Sequence, residues 1–171
     1  MARGYRPRLE REPVSALMLG VPLISVMLGS VMTLLPFIAT APILPPLGLI
    51  MLLAWRFLVR DLWPAWIGLP LGLFDDLLSG QPLGSAAFIW TILLLIIEVF
   101  DRRMMWRDFT QDWIIGGTLI ATALFLGLGF ASLDGGGANP LLLVPQIVIS
   151  GLCLPLALRI CAVLDRLRWR L

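Results

Sequence analysis

The chain contains no histidine and no lysine, and it has only two cysteines among its 171 residues. Without histidine it lacks the commonest metal ligand and the side chain that most often carries protons near neutral pH. Cys153 and Cys161 are separated by about 12 Å along one predicted helix, which is too far for a disulfide. We therefore predict no metal site, no cofactor and no redox centre.

Charged residues are also scarce, at 14% of the chain, whereas hydrophobic residues make up 59%. The mean hydropathy of +0.94 is typical of integral membrane proteins rather than soluble domains. All 13 basic residues are arginines, and they lie at helix ends rather than in one patch, which argues against nucleic-acid binding. Composition thus predicts an all-α membrane protein surrounded by the lipid bilayer.

Six apolar runs predict six membrane-spanning helices that form a single domain. The predicted spans are 14–38, 43–59, 62–78, 83–100, 113–133 and 140–164, between polar tails at 1–13 and 165–171. Residues Ala39-Thr40-Ala41 look like a signal-peptidase site. The apolar run before them is longer than the ~7–15 residues of a signal peptide, so we expect a retained helix.

The arginines set the predicted orientation of the six spans. Every arginine falls in a tail, in the 56–61 or 101–112 loop, or near the end of the last helix, and all of these lie on one side. The opposite loops contain Asp75, Asp76 and Asp134 but no basic residue. The positive-inside rule therefore predicts that both termini are cytoplasmic.

Three charged side chains fall inside predicted spans on the arginine side, and one of them, Arg159, is expected to be an anchor at the end of the last helix. Arg56 is expected to extend to the membrane interface beside the charged residues that follow it, as long basic side chains do. Glu98 is expected to be a surface carboxylate that pairs with Arg102 or Arg103.

The most unusual stretch is Gly72–Gly84, where Asp75 and Asp76 precede a Gly-Gln-Pro turn inside an apolar chain. From Leu62 to Asp76 is about 21 Å of helix, against a hydrocarbon core of about 30 Å. We therefore expect the turn to lie below the outer headgroups. Backbone that is not helical at that depth must be buried in protein or wetted by a cavity.

Two interpretations of the acid pair remain open. In the first, Asp75 and Asp76 end a short helix at the interface, although carboxylates are disfavoured at a helix C-terminus. In the second, Asp76 is held in a polar pocket, where it fixes the turn or meets a partner protein. An aspartyl protease is not favoured, because adjacent helical residues point about 100° apart and cannot easily share one water.

Glycine spacing predicts close helix contacts near the same stretch. Gly68 and Gly72, and again Gly80 and Gly84, have the GxxxG spacing that lets membrane helices approach closely. Glycine is common in membrane helices, so the spacing is a weak signal and does not identify the partner helix.

The pattern Gly72-Leu73-x-x-Asp76-Leu77-Leu78-Ser79-Gly80-x-x-Leu83-Gly84-x-x-Ala87 resembles the signature of the rod shape-determining protein MreD family. Asp76 matches the family's acid, and the two glycines and Leu83 match its turn, whereas Asp75 is an extra carboxylate. Many members carry a polar residue after the proline of the second helix, where this chain has Leu47 after Pro46. A role for that polar residue is therefore not expected here.

This resemblance implies a non-enzymatic scaffold subunit of the bacterial inner membrane that binds an MreC-like membrane protein. Through that partner it would act with an MreB-like cytoskeleton and a RodA–transpeptidase synthase to position lateral peptidoglycan synthesis. The family is also similar to the substrate-binding subunits of energy-coupling-factor transporters, so a small-molecule-binding transporter subunit is the alternative. The residues expected to form a partner-docking or structural turn are Asp75, Asp76, Gly80, Pro82, Leu83 and Gly84.

Overall fold

The computed structural model describes residues 16–33, 44–60, 62–80, 82–103, 108–133 and 140–168, and all of its regular structure is helical. The six α-helices are α1 (Ala16–Met32), α2 (Leu47–Leu58), α3 (Gly68–Ser79), α4 (Ser85–Arg103), α5 (Phe109–Leu133) and α6 (Leu143–Arg168). Short 3₁₀ turns, Ala65–Ile67 and Pro140–Leu142, precede α3 and α6. The predicted helical class is confirmed; the predicted tail at 1–13 and the Ala39–Ala41 segment lie outside the described residues.

Several helices begin or end at residues other than those of the predicted spans. Helices α2 and α3 have 12 residues each, fewer than predicted, because α2 begins only after Pro46 and α3 begins only after the 3₁₀ turn at Ala65–Ile67. Helix α5 instead begins four residues before the predicted start of its span, and α6 runs to Arg168 rather than to 164. The charges in these extensions suit a helix, since Asp112 lies in the first turn of α5 and arginines lie in the last turn of α6.

Helices α5 and α6 are the two in the described part of the chain that are long and apolar enough to cross a membrane. The apolar windows of both are mostly exposed rather than packed inside the protein. This supports a membrane protein. The six-span arrangement remains a proposal.

Helix α2 forms the centre of the core. Nine of its 12 residues are buried, and it packs against α1, α5 and α6. Helix α4 adds a second buried face, which contains Trp90, Leu93, Leu94 and Ile97, and it packs against α3 and α5.

Glycines bring α3 against α4. A Cβ atom built on Gly72 would lie 2.5 Å from the Cα atom of Ala87, and one built on Gly68 would lie 2.8 Å from the backbone nitrogen of Thr91. The first GxxxG pair therefore does lie at a close helix contact. The second pair does not, because Gly80 and Gly84 lie outside the helices with positive φ and open space around them.

Ion pairs lie near the C-terminal ends of α2 and α4, and one of them shows that the expectation for Arg56 is wrong. Arg56 does not extend to an interface: it is 7% exposed, and its guanidinium lies 3.0 Å from the Asp101 carboxylate and donates to the backbone oxygen of Arg60. Pairing and hydrogen bonding let this cation stay inside the bundle. Glu98 pairs with Arg102 at 2.6 Å, so that prediction is confirmed.

Replacing Gly72 by alanine is expected to push α3 and α4 apart, because the new methyl group meets backbone atoms that cannot rotate away. Overpacking of this kind costs about 1–3 kcal/mol. Thermal unfolding in a mild detergent, followed by circular dichroism, measures the loss. Gly129→Ala on α5 is the matched control, since nothing lies within 4 Å of its added carbon. Equal transition temperatures for the two variants would contradict the close packing.

Candidate functional site

The turn between α3 and α4 is built on two glycines with left-handed backbone. Gly80 ends α3 with φ of 66° and ψ of 16°, and Gly84 precedes α4 with φ of 97°. Both values are costly for residues that have a Cβ atom. The backbone nitrogen of Ser85 donates to the carbonyl oxygen of Pro82 at 3.0 Å, which closes the turn.

The carboxylate of Asp76 lies under this turn and is 1% exposed. Its Oδ1 atom accepts hydrogen bonds from the Ser85 hydroxyl at 3.0 Å and from the Ala86 nitrogen at 2.9 Å. Its Oδ2 atom accepts from the Gly84 nitrogen at 2.9 Å and from the Ala87 nitrogen at 3.2 Å. Both oxygens are therefore engaged by the protein itself.

These contacts make Asp76 the cap of α4. The first backbone N–H groups of a helix have no partner within that helix, and here a side chain from the preceding helix supplies the acceptor. Its negative charge also lies at the positive end of the α4 dipole. Of the two interpretations of the acid pair, the first placed Asp76 at the C-terminus of α3, where a carboxylate is unfavourable. The structure places this carboxylate at the N-terminus of the next helix and away from an exposed interface.

The neighbouring Asp75 points to a different helix. A Cβ atom built on Gly48, in the first turn of α2, would lie 3.2 Å from Asp75 Oδ1 and 2.2 Å from Ser30 Oγ. The residue before α2 is Pro46, which offers no side-chain cap. The Asp75 carboxylate thus lies beside the uncapped, positive end of α2. Each acid of the pair lies at the start of a different helix.

The outer side of the turn is apolar and exposed. Leu83 is 72% exposed at the tip, and Leu77 is 68% exposed on the last turns of α3. Beside them, the ring of Phe88 meets the ring of Phe130 edge to face, with centroids 6.1 Å apart. A shallow groove of about 320 Å³ runs from Pro82 to these two rings.

A second concavity, of about 290 Å³, lies on the Asp75 side of α3. Residues from α2 to α6 line it, with Asp75, Trp90 and Gln146 among them. The side-chain nitrogen of Gln146 donates to the carbonyl oxygen of Leu44 at 2.7 Å, which fixes the amide at the cavity wall. We name this concavity the Asp75 cavity.

The structure brings five of the expected turn residues together and separates the sixth. Asp76, Gly80, Pro82, Leu83 and Gly84 form the turn and its support, whereas Asp75 belongs to the cavity. Sequence reasoning missed the donors at Ser85 and Ala86. The signal in the sequence was an acid within an apolar run, followed near the start of the next apolar run by the small residues Ser85, Ala86 and Ala87. A single sequence does not show that Trp90 and Gln146 line the same cavity as Asp75.

Comparison of the chain with protein-family models, with curated proteins and with solved structures finds no match. What the site does is therefore inferred from its own geometry.

Replacing Asp76 by alanine is expected to destabilise the protein by about 3 kcal/mol or more, because several buried N–H groups lose their acceptor at once. Asp76→Asn should fall between alanine and wild type, since the amide keeps one acceptor oxygen. Denaturant or thermal unfolding in detergent measures the loss.

Asp75→Ala is the matched control for this change, because it removes an adjacent carboxylate from the same helix. We expect it to cost less than about 1 kcal/mol, since no helix start loses a direct hydrogen bond. If Asp76→Ala cost no more than Asp75→Ala, the cap would not contribute as the geometry indicates.

Proposed function

We propose that this chain is a non-enzymatic, multi-span scaffold subunit of the bacterial rod-shape machinery, which binds an MreC-like membrane protein. Through that partner it would help an MreB-like cytoskeleton and a RodA–transpeptidase synthase to position lateral peptidoglycan synthesis. The observation that carries the proposal is the turn held by Asp76, which presents the exposed Leu83. The sequence resemblance to the MreD family falls on these same residues.

The exposed surface supports a place in the lipid bilayer. Along α6 the large hydrophobic side chains exposed by 45% or more recur every three or four residues, at Val144, Val148, Leu152, Leu156, Ile160, Val163 and Leu167. A continuous apolar stripe of this length is rare on soluble monomers. Helices α1 and α3 also expose large apolar side chains, whereas α2 is nearly enclosed. Lipid would cover the outer helices and leave α2 as the core.

The helix ends support an alternating arrangement with both termini in the cytoplasm of the inner membrane. The ion pair of Arg56 with Asp101 joins the ends of α2 and α4. The Arg168 guanidinium lies 5.9 Å from the ring of Trp55, which joins the end of α6 to the same region. Three even-numbered helices thus end near one another, on the arginine-rich side that the positive-inside rule assigns to the cytoplasm.

The turn has the properties of a docking surface rather than a reaction site. The Asp76 oxygens are occupied by internal donors, so they hold the backbone in place and are not presented to a substrate. Leu83 and Leu77 are left outside on a rigid support, where a partner helix or loop could cover them. Preorganisation of this kind lowers the entropy cost of binding.

Truncating Leu83 to alanine is expected to reduce recovery of the MreC-like partner about tenfold, because a buried leucine contact contributes on the order of 1–2 kcal/mol. Affinity purification of the tagged chain from membranes measures the recovery, and microscopy should show rod-shaped cells becoming round. Gly84→Leu should act in the same direction, since its left-handed backbone disfavours a side chain.

Leu152→Ala is the control for the docking test. Leu152 is also well exposed, at 64%, but it lies on α6 away from the turn. Partner recovery and cell shape should match those of the wild type. Unchanged recovery with both Leu83→Ala and Gly84→Leu would remove the turn from the docking surface.

The Asp75 cavity favours a second candidate, a small-molecule-binding membrane subunit of an energy-coupling-factor-type transporter. That role would require a transporter ATPase as a partner in place of the MreC-like protein. Mass spectrometry of the proteins that co-purify with the tagged chain discriminates between the two candidates.

A further inference from the structure

The Asp75 cavity combines one carboxylate with a mostly apolar wall. Asp75 and Gln146 lie in the lining with Leu49, Ile89, Trp90 and Leu124. Its volume of about 290 Å³ is near the lower end of the ~300–1,000 Å³ that is usual for small-molecule sites. A few fixed polar groups in an apolar wall are typical of such sites.

The charged group of the cavity is held in place by its surroundings. Asp75 Oδ1 lies next to Gly48 and Ser30 Oγ, and the positive end of α2 favours a negative charge there. Asp76 is turned away into the α4 cap, so its oxygens do not compete for a ligand. The cavity therefore presents one carboxyl group at a defined position.

Trp90 and Asp75 both line the cavity. A Cβ atom built on Gly48 would be 3.1 Å from the edge of the Trp90 indole and 3.2 Å from Asp75 Oδ1, so both side chains approach the first turn of α2. A carboxylate in a mostly apolar wall is a favourable environment for an organic ammonium group, through a charge-assisted hydrogen bond. An anionic ligand would face the Asp75 charge.

We infer that the Asp75 cavity binds a small organic amine, with the ammonium group at Asp75 and an apolar body against Leu49, Ile89 and Leu124. The ammonium could belong to a free amine or to an amine-bearing lipid headgroup, and the chemistry of recognition is the same. The lining of this site shares no residue with the groove beside the docking turn. It does not depend on the scaffold function, and either proposal can fail alone.

Isothermal titration calorimetry of the purified full chain in an uncharged detergent tests the site. The probe is n-hexylammonium, with n-hexanol and hexanoate as partners of matched length. We expect saturable binding of the ammonium at one site, at least tenfold weaker binding of hexanol, and no binding of hexanoate. Saturation separates the site from simple partition into the detergent.

Variants locate the binding. Asp75→Asn should weaken hexylammonium binding at least tenfold, and Ala131→Leu, which places a larger side chain in the cavity wall, should remove it. Glu98→Gln is the control, because it removes an exposed carboxylate outside the cavity, and it should bind as the wild type does. Circular dichroism checks that each variant remains helical.

The same titration in lipid nanodiscs identifies the source of the amine. If phosphatidylethanolamine competes with hexylammonium and phosphatidylglycerol does not, the occupant is a lipid headgroup; undiminished binding in both lipids points to a free amine. Both results require the saturable site and support it. The inference is overturned if hexanoate binds as well as hexylammonium, if Asp75→Asn and Ala131→Leu both bind normally, or if no saturable binding occurs.

Discussion

The structure depends on one interaction, in which the buried carboxylate of Asp76 accepts the backbone N–H groups at the start of α4. Buried backbone N–H groups need an acceptor, and the first N–H groups of α4 have none within their own helix. The carboxylate satisfies them and neutralises the positive end of the helix at the same time. Gly80 and Gly84 provide the left-handed backbone that brings the chain around to the acid.

The other features near the turn follow from this attachment. Once the start of α4 is held against α3, the first part of α4 runs back along α3, and only glycine at 68 and 72 leaves room for the backbone of α4. The remaining face of α3 directs Asp75 toward the start of α2 and into the cavity. One short helix thus supports the beginnings of two others. The proposed docking turn follows its last residue, and the proposed amine site includes its Asp75.

Local chemistry could be predicted from the sequence, and long-range pairing could not. The acid Asp76 and the turn glycines can be recognised because they interrupt apolar runs. The helical class can be recognised because the apolar runs are long. Arg56 looked like an interfacial residue because its partner Asp101 is 45 positions away and belongs to another helix. Asp75 looked like an extra carboxylate of the turn for the same reason, since Gly48, Trp90 and Gln146 come near it only in the fold.

The most direct measurement is amide hydrogen exchange of Gly84, Ala86 and Ala87 in the unmodified protein, by nuclear magnetic resonance in detergent. Amides of a first helical turn ordinarily lack partners and exchange readily. If the Asp76 carboxylate holds them, they will exchange as slowly as the interior amides of α4, such as that of Leu93. Exchange at the rate of an uncapped helix end would contradict the account.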